Sequence, residues 1–223
     1  MRKTFHENLD EISEDVISMG SLVQEAVYNA IEAIVKTDVN LAQKVIAEDV
    51  KIDDYDITIE EKCIILQAEH QPVAKDLRFI HSISIVIKYL ERIGDLSVNI
   101  AKIAKKLSKQ RKKSLDKDVM ELLVEMGNLV KSILDRALQA FKNKDSKIAS
   151  KLGRVDDDID DIQKIILRKL YTTKGDEEDY LRFIANISLV SRYLERIGDQ
   201  SVNIGERVLY FSTGDYKIFH EDL

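Results

Sequence analysis

The sequence predicts an all-α protein made of two tandem, pseudo-symmetric antiparallel three-helix bundles, six long helices in all. Three observations lead there. First, the stretch at residues 77–100, LRFIHSISIVIKYLERIGDLSVNI, recurs 104 residues later at 181–204 as LRFIANISLVSRYLERIGDQSVNI. The copies agree at 18 of 24 positions, where residue frequencies alone would give about one or two matches. Second, apolar residues elsewhere recur at alternating steps of three and four, the period of a helix with one buried face. Third, one proline and eight glycines in 223 residues leave too few turn formers for a sandwich or barrel.

In residues 5–36, Leu9, Ile12, Val16, Met19, Val23, Ala26 and Ala30 mark the buried side of a first helix. Thr37 and Asp38 interrupt it, and Asp38 is expected to cap a second helix over residues 39–70, with Leu41, Val45, Ile52, Ile59 and Leu66 turned inward. Pro72, with its fixed φ and missing N–H, is expected in the first turn of a third helix that starts near Val73 and runs to about Lys109. Phe79, Ile83, Val86, Leu90, Ile93 and Ile100 form its apolar stripe, copied later as Phe183, Ile187, Val190, Leu194, Ile197 and Ile204. Gly94 and Gly198 lie inside these helices at a cost of about 1 kcal/mol each relative to alanine, so a close helix approach or a local backbone adjustment is expected there.

The second half restarts near Leu115 at an offset of 107. Met19 and Gly20 answer Met126 and Gly127, Asp38 answers Asp145, and Asp49 and Asp53 answer Asp156 and Asp160, before a three-residue shortening changes the offset to 104. Each half therefore carries three helices, as a repeat of residues 1–110 and a repeat of residues 111–223, divided near Ser108 to Leu115. Lys174, Gly175 and Asp176 end the fifth helix and open the sixth, which stops near Thr213 and Gly214.

Formal charge is −6, which opposes nucleic acid as a partner. Cys63 is the only cysteine, so an intrachain disulfide and a cysteine-based zinc site are excluded; a cytosolic location follows most simply. The N-terminal segment turns acidic without an apolar run, so no secretory signal is read. No stretch reaches the roughly 18 apolar residues of a membrane span, which leaves peripheral contact as the membrane option. Residues 102–113 carry seven basic residues and no acid, either a solvated helix end and linker or a contact for an anionic partner or membrane surface.

The chemistry lies in carboxylates. Glu91 and Asp95 stand one helical turn apart with Asn99 continuing the face, and Glu195, Asp199 and Asn203 repeat the arrangement. The second helix adds Asp49, Asp53 and Asp56 along one stripe, and the fifth adds Asp156 and Asp160. If adjacent helices bring these acids together, two oxygen-rich sites form: Asp49, Asp53, Glu91 and Asp95 in one, Asp156, Asp160, Glu195 and Asp199 in the other. Such donors suit iron, manganese, magnesium or zinc, singly or as a carboxylate-bridged multinuclear cluster. The competing reading pairs the same acids with Arg78, Arg92, Arg182 and Arg196. None of His6, His70, His81 and His220 forms an HExxH or ExxH motif, which weakens the di-iron oxidase reading, and no phosphate loop or nucleophile elbow is present. A metal-dependent hydrolase or oxidase stays as the enzyme alternative.

The segments PVAKDLRFI (72–80), YLERIGDLSVNI (89–100), YLERIGDQSVNI (193–204) and RVLYFSTGD (207–215) make the chain resemble the PhoU family of phosphate-transport regulators along its whole length. The second half lacks the Pro-Val-Ala before its copy, a departure at a turn. The resemblance implies two three-helix bundles, each with an E(D)-x-x-x-D motif. It also implies a cytoplasmic, non-enzymatic accessory protein of a phosphate-specific ABC transport system. Its implied partners are the transporter ATPase and the phosphate sensor histidine kinase, and its implied effect is to restrain phosphate uptake and starvation-gene expression. A homodimer is expected from the wide faces that long bundles present.

Overall fold

A computed structural model of the chain describes residues 2–108, 117–172 and 178–215, and 94% of these described residues are helical, with no strand among them. The elements are α1 (Arg2–Lys36), α2 (Val39–His70), α3 (Ala74–Leu107), α4 (Lys117–Asn143), α5 (Ser146–Ala149), α6 (Leu152–Thr172) and α7 (Glu178–Thr213). In the first half α1, α2 and α3 pack on one another; in the second, α4, α6 and α7 do the same. The expected division between Ser108 and Leu115 falls largely outside the described residues. So do the turn at Lys174, Gly175 and Asp176 and the basic residues Lys109, Arg111, Lys112 and Lys113.

Local chemistry ends the helices where the sequence says it should, with two exceptions. Asp38 Oδ1 accepts from the backbone N–H groups of Asn40 and Leu41 at 2.8 and 3.2 Å, and Asp145 Oδ1 accepts from those of Lys147 and Ile148 at the same distances. These are N-caps that satisfy otherwise orphaned donors. Pro72 lies outside α3 rather than in its first turn: Gln71 takes the left-handed conformation (φ 46°) to close α2, and Val73 is the residue that caps α3. The expected fifth helix is broken into α5 and α6 by a turn at Ser150 and Lys151. Ser150 bonds its hydroxyl back to the Lys147 carbonyl, Lys151 N–H reaches only to Ile148, and Gly153 follows. Serine and glycine near a helix start are weak propagators, so one turn of helix gives way here.

The buried apolar residues form one continuous cluster that includes both predicted stripes; Phe183 is only partly buried, and on α1 Val27 takes the fully buried place beside a half-buried Ala26. The halves meet through α1 against α4 and α3 against α7. A Cβ on Gly20 would stand 2.6 Å from Leu138 Cδ2, and one on Gly127 would stand 2.9 Å from Ile31 Cγ2. Gly20 answers Gly127, and Ile31 answers Leu138, at the same offset of 107, so these two contacts are one contact seen twice about a pseudo-two-fold axis. On that axis, equivalent residues meet. Tyr28 Oη and Gln24 Nε2 both donate to Asp135 Oδ1, at 2.5 and 2.6 Å, and Lys131 Nζ stands 4.9 Å from the Tyr28 ring centroid. Burial first, then the Asp135 bond and charge, hold the Tyr28 hydroxyl protonated well beyond its usual range.

Because this bond joins a hydroxyl to a partly buried carboxylate, Tyr28→Phe should lower stability by about 1–2 kcal/mol. Urea unfolding of the single variants and of the double variant with Asp135→Asn measures it. The two losses should be strongly non-additive, and full additivity would mean that the bond contributes nothing.

Candidate functional site

Helices α2 and α3 pack tightly where their acids lie. A Cβ on Gly94 would stand 3.2 Å from Asp49 Oδ1 and 3.1 Å from Ile52 Cδ1; one on Gly198 would stand 2.7 Å from Asp156 Oδ1 and 3.2 Å from Ile159 Cδ1. Each YLERIGD glycine is therefore the place where a carboxylate and an isoleucine of the neighbouring helix settle against the helix that carries the Glu and Asp of the motif. From the sequence these glycines are explained by helix packing alone. The carboxylate over each one was not legible, because it arrives from another helix.

The charge environment records the crowding. Burial, then Asp53 and Asp95, push Asp49 up to about 6, against a small opposing effect of Lys102. Burial, then Asp95, Asp56 and Asp53, raise Glu91, with Lys88 opposing. In the second half, burial, then Asp199, Asp160, Asp157 and Glu195, push Asp156 up to about 7. Burial and then Asp199 raise Glu195, and burial and then Asp160 raise Asp199, both opposed by Arg192 and Arg196. The first face is the more open, with Asp53 and Asp95 exposed, whereas all four acids of the second face are half-buried. Asp156 Oδ1 and Glu195 Oε2 are buried without a hydrogen-bond partner.

Arginines neutralise these faces only in part, and on the second alone. Among the described residues, the single ion pair made by the eight acids is Arg192 Nη1 to Glu195 Oε1 at 3.5 Å, and Arg182 is instead bonded to Glu178 at 2.5 Å. Asp56 is different. Its Oδ2 accepts from Lys88 Nζ at 2.7 Å, and Lys88 also reaches Glu60 Oε2 at 3.0 Å, so this member of the carboxylate stripe is held in an ion pair. At the equivalent places the second half has Gln163, Leu167 and Arg192, and the two faces are not copies there. Lys88 was missed from the sequence because its partners are on α2.

Among the described residues no three His, Cys, Asp or Glu side chains are drawn into a ready-made metal cluster; the acids line a common face without closing on one point. The donor set nevertheless fits a hard cation: oxygens only, half-buried, supplied by two helices, with two orphaned carboxylate oxygens in the second face. Asp49, Asp53, Glu91 and Asp95 would hold one ion or cluster, and Asp156, Asp160, Glu195 and Asp199 the other.

Asp156 carries a higher value folded than its ordinary 3.8, so its ionisation opposes folding. That cost is absent below the ordinary value, grows as pH rises through the interval up to about 7, and is complete above it. In metal-free protein, Asp156→Asn should therefore raise the melting temperature at pH 8, leave it nearly unchanged at pH 4, and flatten the profile between. Thermal unfolding across that range is the check.

The comparisons with known proteins agree with this architecture. The PhoU domain matches twice, at residues 16–104 and 123–208. The chain is 35% identical over 214 residues to a phosphate-specific transport system accessory protein PhoU homolog of Clostridium acetobutylicum, covering 96% of each. The crystal structure of PhoU from Pseudomonas aeruginosa superposes with a TM-score of 0.89 at 33% identity, over 95% of this chain and 100% of that one. The phosphate transport system regulatory protein PhoU from Streptococcus pneumoniae superposes with a TM-score of 0.86 at 29% identity, over 95% and 98%. Matched in both halves and along nearly its whole length, the chain belongs to the PhoU family.

Proposed function

We propose that this protein is a non-enzymatic regulatory adaptor of a phosphate-specific transport system. The observation that carries the reading is the end-to-end match, through both PhoU domains, to proteins named as accessory or regulatory components of phosphate transport. In this reading it acts in the cytoplasm as a homodimer, meets the transporter ATPase and the phosphate sensor histidine kinase, and restrains uptake and starvation-gene expression when phosphate is plentiful. Contact with the inner face of the membrane would be peripheral, through Lys102, Lys105 and Lys106 at the end of α3. Among the described residues no helix is long and apolar enough to cross a bilayer.

The two carboxylate faces are proposed as structural metal sites. Iron, manganese, magnesium or zinc, when bound, supplies positive charge that offsets several carboxylates at once. The protein's own part is to hold Asp49 over Gly94 and Asp156 over Gly198, so that acids from two helices share one face. With oxygen donors alone, selectivity among these metals should be low. Loading would tighten α2 on α3 and α6 on α7 and so set the shape offered to partners.

Deleting the gene and following phosphate uptake together with a starvation reporter in phosphate-rich medium tests the adaptor. Both should rise, and no change in either would sink the reading. Steady turnover of a phosphoester or an oxidisable substrate, abolished by Asp95→Ala and Asp199→Ala, would establish the enzyme alternative instead. Elemental analysis of protein purified without an affinity tag tests the metal sites. Glu91→Gln/Asp95→Asn and Glu195→Gln/Asp199→Asn should each lose metal and the chelator-sensitive part of the melting temperature. Equal metal content in all three proteins would leave the acids as a surface feature.

A further inference from the structure

Helix α2 is apolar on two sides. Its inner side carries Val45, Ile52, Ile59, Cys63 and Leu66 into the core. Its outer side exposes Val50, Ile57 and Ile64 at 57%, 63% and 61%, with Ile65 beside them at 48%. These are four of the ten large apolar side chains exposed among the described residues. Val50, Ile57 and Ile64 are seven residues apart, so they keep to one side of the helix within about 20° per step and make a seam about 21 Å long. Exposed Ala47 and Ala68 extend it at either end. The fold does not ask for this seam. At the equivalent places α6 carries Asp157, Lys164 and Tyr171, and it packs on its own neighbours without it.

Charge says what would cover the seam. Asp54 and Glu61 lie along it, one turn from Val50, Ile57 and Ile64, and both make no ion pair among the described residues. The lysines of α2 are engaged elsewhere: Lys44 with Glu25, Lys51 with Glu48, and Lys62 with Glu11 and Asp15. A second copy laid antiparallel on the same seam would set uncompensated acids against acids, and an anionic membrane would be repelled by them. A helix with its own apolar stripe flanked by lysine or arginine is complementary in both respects.

We propose that the outer face of α2 in the first repeat is a docking ridge for a cationic amphipathic helix of a partner protein. The proposal deepens the adaptor reading and rests on it. Docking there would place the partner beside the Asp49 and Asp53 stripe of the same helix, so that one surface carries both the partner and the first carboxylate face.

The test uses the full chain and two labelled synthetic 18-residue helices, each with leucines at every third or fourth position, one with lysine and one with glutamate at the remaining sites. Fluorescence anisotropy should show binding of the lysine helix, weakened by raising salt, and none of the glutamate helix. Ile57→Gln/Ile64→Gln should weaken binding more than tenfold and Asp54→Asn/Glu61→Gln several-fold. Ile165→Gln/Leu189→Gln, on the second half, should leave it unchanged. All variants alter exposed residues and should melt within a few degrees of the wild type by circular dichroism. No binding of the lysine helix, equal binding to all variants, or equal binding of both helices overturns the ridge. So does light scattering that finds a wild-type dimer turned to monomer by Ile57→Gln/Ile64→Gln, which would make a second copy the occupant. The deletion phenotype makes no reference to this face, so the adaptor reading and the ridge fail separately.

Discussion

The tight packing of α2 on α3 at Gly94, and of α6 on α7 at Gly198, forces like charges together. Ile52 and Asp49 settle on Gly94, and Ile159 and Asp156 settle on Gly198. The isoleucines are fully buried or nearly so, and their burial, at about 25 cal/mol per Å² of apolar surface, is part of what holds the acids at a distance they would not choose. Had the glycines been alanines, the two helices would stand further apart or the carboxylates would turn away. The raised values of Asp49, Glu91, Asp156, Glu195 and Asp199 come first from burial and then from neighbouring acids, some on the same helix and some brought from the other helix by that approach. So does the suitability of the faces for a cation.

The pseudo-two-fold arrangement puts a second condition on the chain. Off the axis, the same contact is made twice, as Gly20 against Leu138 and Gly127 against Ile31. On the axis, equivalent residues face one another, and two identical carboxylates there would repel while a hydroxyl-to-carboxylate bond needs two different residues. Tyr28 and Asp135 answer this by being different, donor against acceptor. A duplicated sequence in one chain can diverge at such a point, whereas a homodimer of a single repeat must place the same residue on both sides.

The same freedom separates the two carboxylate faces. The first is flanked by the Lys88, Asp56 and Glu60 cluster and keeps Asp53 and Asp95 exposed. The second has Gln163 and Leu167 in place of those acids, four half-buried carboxylates and two orphaned oxygens. Metal at the two faces would therefore meet different surroundings even though the motif that announces them, YLERIGD, is identical in both. Outside the faces, the apolar seam on the exterior of α2 has no counterpart on α6.

Much of this was legible in the sequence. The helices, their caps at Asp38 and Asp145, the pairing of halves and the acids of each face all follow from i, i+3, i+4 spacing and from a repeat, which are properties of one strand of text and of local backbone chemistry. The break at Ser150 lay within the reach of the same reasoning, since its causes are local, yet the match to an unbroken α2 concealed it. Other matters depend on distances between helices, which no spacing along one helix contains. That Asp49 and Asp156 rest on the motif glycines, that Lys88 takes Asp56 out of the carboxylate stripe, and that among the described residues Arg78, Arg92 and Arg196 make no ion pair with these acids were decided by packing alone. By itself the sequence determined which residues each helix turns inward and which acids share one of its sides; only the tertiary structure decided which sides meet, because that choice belongs to the burial of apolar surface between helices and not to either helix alone.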